Sequence, residues 1–177
     1  MKVLPLALLL LAVPALAQEA DPADVASPEA IVAAVYASLD RAPGDNHDWD
    51  RFVTLYYPEA KLLPQPEQMN GQERVFTAQG YADHINGLYE SASYIGSPND
   101  RGFREREVHN VTHRFGDVAT VFSTYEKFFY EGDQMLGRGI NSFQLVFREG
   151  RWWILAAAWD EENSAGSVPA EFMTSAE

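Results

Sequence analysis

The chain has 177 residues, no cysteine, and a formal net charge of −13 from 26 acidic and 13 basic side chains. That length fits one domain whose core needs no staple, and no disulfide is available to supply one. The acidity repels phosphate backbones and anionic lipid heads, so neither nucleic acid nor a membrane surface is expected as a partner.

The chain opens with Met1-Lys2, a mostly apolar run from Val3 to Leu16, and the small-x-small pattern Ala15-Leu16-Ala17. These features predict a signal peptide over residues 1–17, cleaved after Ala17, with export to a periplasm or out of the cell. The apolar run falls short of the about 20 residues a membrane span needs. Residues 18–27 are small, acidic and Pro-containing and read as a flexible leader.

Ser27-Pro28-Glu29 is a helix start, with Ser as cap and Pro in the first turn. Ile31, Val32, Val35, Tyr36 and Leu39 then recur at helical spacing, and Pro43-Gly44 ends the segment. Asp48 is placed to cap a second, short helix carrying Trp49, Phe52, Val53 and Tyr56, with Pro58 as its stop. Residues 59–63 suit a short strand, and Pro64 to Gly71 a loop. Thr77 caps a third helix with Tyr81, Ile85, Leu88 and Tyr89 on one face.

From Phe103 the pattern changes to four β-rich runs, about 103–115, 118–130, 137–148 and 151–160, separated by Gly116-Asp117, Glu131-Gly132-Asp133-Gln134 and Glu149-Gly150. Three hairpins joining four strands make an antiparallel meander. The domain thus spans 28–162, and 163–177 is a small, polar tail. Strict alternation in the last strand sets Trp152, Ile154, Ala156 and Ala158 against Trp153, Leu155, Ala157 and Trp159. Both faces then need cover. Helices cover one. A second copy of the chain covers the other, which predicts a homodimer through the sheet; the competing expectation is that the C-terminal tail folds over that face.

The order of elements, together with Trp49-Asp50-Arg51-Phe52-Val53, Tyr56-Tyr57-Pro58-Glu59-Ala60, Gly116 to Val121 and Phe143 to Ile154, resembles the nuclear transport factor 2-like superfamily in its SnoaL-like and ketosteroid-isomerase-like branches. The likeness extends over about residues 28–161. It implies an α+β fold, a cone-shaped curved antiparallel sheet wrapped by three N-terminal helices, with a cavity between them. The superfamily holds isomerases, dehydratases, cyclases, hydrolases and binders without activity, so the fold does not fix the chemistry.

Within such a cavity the expected ligand-facing residues are Tyr36, Trp49, Tyr56, His84, His109, His113, Tyr125, Phe143 and Trp159. Enzymes of the fold use a buried carboxyl with Tyr or His, because burial lifts a carboxyl pKa toward working pH. Asp50, Asp83, Glu126 and Asp160 are the acids weighed for that role, and three of them also have a structural account: Asp50 suits a helix N-terminus, Glu126 suits pairing with Arg138, and Asp160 suits a solvated rim. His109 and His113 do not form a metal site. On a strand the two rings stand about 13 Å apart, too far for one ion bound at about 2 Å. No cofactor is expected. The function read from the sequence is an exported domain binding a small apolar or aromatic molecule. The alternatives are a cofactor-free isomerase, dehydratase or hydratase, and a structural or partner-binding homodimer without a ligand.

Overall fold

The computed structural model describes residues 19–163 and 166–173, so the signal-peptide reading lies outside the described residues. Ser27 is extended and its hydroxyl accepts from the Ala30 N–H, starting α1 (Pro28–Leu39). The helix buries Ile31, Val32, Val35 and Tyr36, as their spacing requires. Asp48 accepts from the Arg51 N–H at 3.1 Å and starts α2 (Trp49–Thr54). Pro58 is not its stop: α2 has already ended, and Pro58 lies inside β1 (Tyr56–Pro64). β1 is an edge strand, where a missing N–H is tolerated. A 3-10 turn over Pro66–Met69 leads on to α3 (Ala78–Ser91), capped by Thr77.

The meander comprises β2 (Arg104–Phe115), β3 (Val118–Phe128), β4 (Met135–Arg148) and β5 (Arg151–Glu161). Glu149 and Gly150 both take positive φ, 55° and 80°, the conformation a two-residue turn between right-twisted strands requires. The sheet order is β1-β5-β4-β3-β2. Four strands are antiparallel as expected; β1 joins β5 in parallel, so the sheet is mixed at that edge. The helices lie on one face, and Phe52, Phe143, Trp152, Ile31, Leu55 and Ile154 form its fully buried centre. Side chains of this size each contribute about 1.5–3 kcal/mol when removed from water.

Two bulges decide which residues face the helices. In β2, Glu107 pairs with Tyr125 but His109 pairs with Thr124, leaving Val108 as an extra residue. In β5, Ala156 pairs with Gln144 and Ile154 with Leu145, leaving Leu155 extra. Each bulge reverses the alternation beyond it. The face assignment of β5 by strict alternation is therefore corrected: Trp152 and Ile154 share the inner face with Ala157 and Trp159, not with Ala156 and Ala158.

Both ends of the described chain are tied down. The leader is not free: the Val25 carbonyl accepts from the Trp152 N–H at 3.0 Å, and Arg51 holds Asp24 through two bonds of 2.7 Å. At the other end, a 3-10 turn over Ala170–Phe172 lies on the outer face of the sheet. The Phe172 ring meets Phe122, and the Thr124 hydroxyl donates to the Phe172 carbonyl at 2.6 Å. The tail thus covers part of the face opposite the helices. Val118 and Leu155, also outer-facing, stay exposed.

Candidate functional site

A cavity of about 540 Å³ opens between the inner face of the sheet and the helices. Aromatic rings in edge or tilted contact form much of its wall. Trp49 meets Phe52 at 5.4 Å and Tyr81 at 6.3 Å, Phe52 meets Tyr56 at 4.8 Å, and Tyr81 meets Trp159 at 5.4 Å. The Trp49 indole N–H donates to Asn86 Oδ1 at 2.7 Å, which fixes the ring without spending cavity surface.

Polar groups gather at one part of the wall. Glu105 on β2 stands beside Lys127 on β3 in cross-strand register, and both face inward with Tyr125. Lys127 forms an ion pair with Glu161 on β5, and the Tyr125 hydroxyl donates to the same carboxylate at 3.2 Å. Two glycines make this possible. A Cβ at Gly137 would stand 2.9 Å from Lys127 Cε, and one at Gly139 would stand 2.6 Å from the Tyr125 hydroxyl and 2.2 Å from the Asp160 carbonyl. Both long side chains therefore lie flat across β4 to reach Glu161.

Glu105 is half-buried at the cavity wall and its carboxyl is pushed up to about 7. Burial is the main cause, reinforced by Glu161 and Asp40 and opposed by Lys127 and the Asn141 amide. Burial likewise drives the Tyr125 hydroxyl far above its ordinary value, with Glu105 and Glu161 adding to the effect. Asn141 also donates to the Tyr36 hydroxyl at 3.0 Å; Tyr36 bonds the Ser123 hydroxyl at 2.7 Å, and Ser123 donates to Glu107. Ser123 gives its proton to the carboxylate, so Tyr36 is the donor to Ser123. This chain orients the Asn141 amide from behind the wall.

His47 also lines the cavity, held neutral. Its Nδ1–H donates to the Leu39 carbonyl at 2.6 Å, and Nε2 faces the Tyr89 hydroxyl at 3.4 Å. Burial pulls its pKa down to about 4; the Leu39 carbonyl opposes that and Arg41 assists it. At the cavity edge, the side-chain amide of Gln68 is buried with neither its nitrogen nor its oxygen partnered.

Of the residues expected at a cavity, Trp49, Tyr56, Tyr125, Phe143 and Trp159 line it. Tyr36 stands one bond behind, through Asn141. His84 stacks on Phe76 at 5.2 Å and is not a wall residue. His109 and His113 are corrected: they pair with Thr124 and Thr120 on the outer face. Strict alternation groups both with Glu105 and Glu107; the extra Val108 turns them away and brings Asn110 and Thr112 inward. Among the acids weighed, Glu126 is bound by Arg138 at 2.6 Å and Arg106 at 3.2 Å. Asp83 accepts from Gln79, Asp50 is exposed on α2, and Asp160 lies at the cavity rim.

Glu105, Lys127, Glu161, Asn141 and His47 were missed. Arg104-Glu105-Arg106-Glu107 looks like a solvated strand, and the useful signal was the inward parity that Glu105 shares with Tyr125 and Lys127 once the hairpin register is known.

A curved sheet closed by three helices over a cavity defines the α+β, cystatin-like architecture. A protein of that fold from Nostoc punctiforme superposes with a TM-score of 0.61 at 14% identity, over 83% of this chain and 97% of that one. LinA superposes at 0.55 with 14% identity, over 81% and 94% of the two chains. A ketosteroid isomerase candidate from Parabacteroides distasonis gives 0.51 at 12% identity, over 85% and 98%. The chain shares the fold of these structures, a curved sheet closed by helices as its sequence resemblance implies. No protein-family model and no curated protein matches the sequence.

Proposed function

We propose that the domain binds a small molecule with an apolar or aromatic body, whose polar end is set against Glu105. The observation that carries this reading is the aromatic-walled cavity of about 540 Å³ with a half-buried carboxyl in its wall; sites of this kind combine apolar walls with a few orienting polar groups. The test is NMR titration of the full chain with indole and 2-naphthol as neutral probes. Saturable shifts at the Trp49 indole N–H and the Asn141 side-chain amide are expected. Shifts confined to outer-face groups such as Trp153, or none, overturn the reading.

A second reading is a cofactor-free enzyme in which Glu105 moves a proton, as in the isomerases of this fold. Its support is the carboxyl poised at about 7. Against it, Tyr125 and Lys127 are turned to Glu161 and Asn141 to Tyr36, so the donors that would steady an enolate are already engaged. Deuterium exchange into 2-indanone separates the two: an enzyme loses about a hundredfold or more on Glu105→Gln, whereas a binder shows no catalysed exchange to lose.

Export and dimerisation complete the proposal. The residue pattern of 1–17 supports secretion, and the intact mass of the exported protein tests a cut after Ala17. Exposed Val118 and Leu155 beside the tail support a second copy on the outer face. Light scattering should give two copies for the natural chain, and one after Leu155→Glu.

A further inference from the structure

Resting on the cavity-binding reading, we infer that the molecule recognised is a cation: a protonated amine on an aromatic or apolar body, its ammonium group placed between Glu105 and the ring faces of the wall.

The charges around the cavity point one way. The acidic side chains lining it are Glu67, Glu105, Asp160, Glu161 and Glu162, and the only lysine or arginine among its lining residues is Lys127. Lys127 is engaged by Glu161, so it offers little to a bound anion. His47, the one histidine in the lining, is kept neutral by burial. Glu105 has one cation across the strand, Lys127, and shares it with Glu161. It is approached by Lys127 from β3, Glu161 from β5, Asp40 from the end of α1 and the Asn141 amide from β4, and the two carboxylates in that set oppose its ionisation.

Donor and acceptor supply leads to the same class. Tyr125 donates to Glu161, Asn141 to Tyr36, Tyr36 to Ser123, and the Trp49 indole to Asn86. The protein's own acceptors thus take up the donors at the polar part of the wall, while the Glu105 carboxyl keeps acceptor capacity toward the cavity. A carboxylate or phosphate ligand would meet like charge on most sides, with the Gln68 amide at the cavity edge as an unpartnered donor. An ammonium group would add donors beyond the Asn141 amide that Glu105 already has, and would be drawn to the aromatic rings of Trp49, Tyr81 and Trp159. The desolvation that disfavours charged Glu105 alone becomes an attraction when a cation shares the cavity.

Isothermal titration of the full chain with three probes of matched shape tests the assignment: tryptamine (cation), tryptophol (neutral) and indole-3-propionate (anion). Near neutral pH, tryptamine should bind about tenfold or more tighter than tryptophol, and indole-3-propionate weaker than either. Glu105→Gln should reduce the tryptamine advantage over tryptophol to under about threefold. About one pH unit below the midpoint of Glu105, tryptamine binding should release a proton, because the incoming ammonium expels the one Glu105 holds. Comparing buffers of different ionisation enthalpy detects that release, which tryptophol should lack. The selectivity and the proton release are read on the natural chain, so they stand even if the variant misfolds. Equal affinity for tryptamine and tryptophol, or preference for indole-3-propionate, overturns the cation assignment and leaves the cavity reading intact. Failure of all three to bind overturns both.

Discussion

Glu105 and Glu126 lie almost side by side in the β2–β3 ladder and face opposite ways. Glu126 sits in an outer-face row between Arg106 and Arg138, and the Arg138 guanidinium leads in holding its carboxyl below the ordinary range. Glu105 sits in the adjacent inner-face row opposite Lys127, and burial pushes its carboxyl up to about 7. Each has a cation across the strand. The difference is that Glu126 keeps two guanidinium groups near solvent, while Glu105 is half-buried at the cavity wall and shares its one ammonium with Glu161. Pairing governs the first and desolvation the second.

The largest way to break this contrast is to alter the alternation that separates the faces. Deleting Leu155 removes the bulge and forces either Trp152 and Ile154 or Ala157 and Trp159 outward. The loss should exceed about 5 kcal/mol, so circular dichroism should show an unfolded chain, whereas Leu155→Ala should fold. Next comes Glu105→Gln. The folded carboxyl titrates above its unfolded value, so the natural chain keeps this stability below the ordinary glutamate range and loses it as pH rises through about 7. The variant should be more stable by up to about 3 kcal/mol above that pH and no more stable in acid; urea midpoints at both ends check the sign.

Gly139→Ala should cost about 3 kcal/mol, because its Cβ would stand 2.2 Å from the Asp160 backbone carbonyl on β5 and 2.6 Å from the Tyr125 hydroxyl. It should also shift the Glu105 titration, followed by carboxyl NMR. The smallest effect belongs to Glu126→Gln, about 1 kcal/mol or less for a pair near solvent. Its folded carboxyl titrates below its unfolded value, so this loss appears near neutrality and fades as pH falls through the depressed value, opposite to Glu105. A double-mutant cycle with Arg138→Met isolates it.

Local chemistry made most of the fold legible. Ser27, Asp48 and Thr77 cap the three helices through side-chain bonds to the backbone, and the Gly-containing turns separate the four meander strands. The site was legible only in its aromatic half. Trp49, Tyr56, Phe143 and Trp159 are large apolar residues, which a wall and a core both favour. Glu105 gives no local sign, because the groups that act on it, Lys127, Glu161 and Asn141, are brought to it across the sheet from distant positions. His109 and His113 went to the wrong face for a one-residue reason: Val108 has no turn chemistry to announce a bulge.

The same Val108 bulge has a consequence for the chain in solution. β2 is the sheet's far edge, with a row of backbone groups open to pairing by any extended segment. A bulge interrupts the even spacing that an invading strand needs, and Arg104, Arg106 and Glu107 place charge along the same edge. A strand added there would lose register at Val108 after a few residues. The irregularity that turns the histidines away from the cavity therefore guards the protein's exposed border against edge-to-edge aggregation.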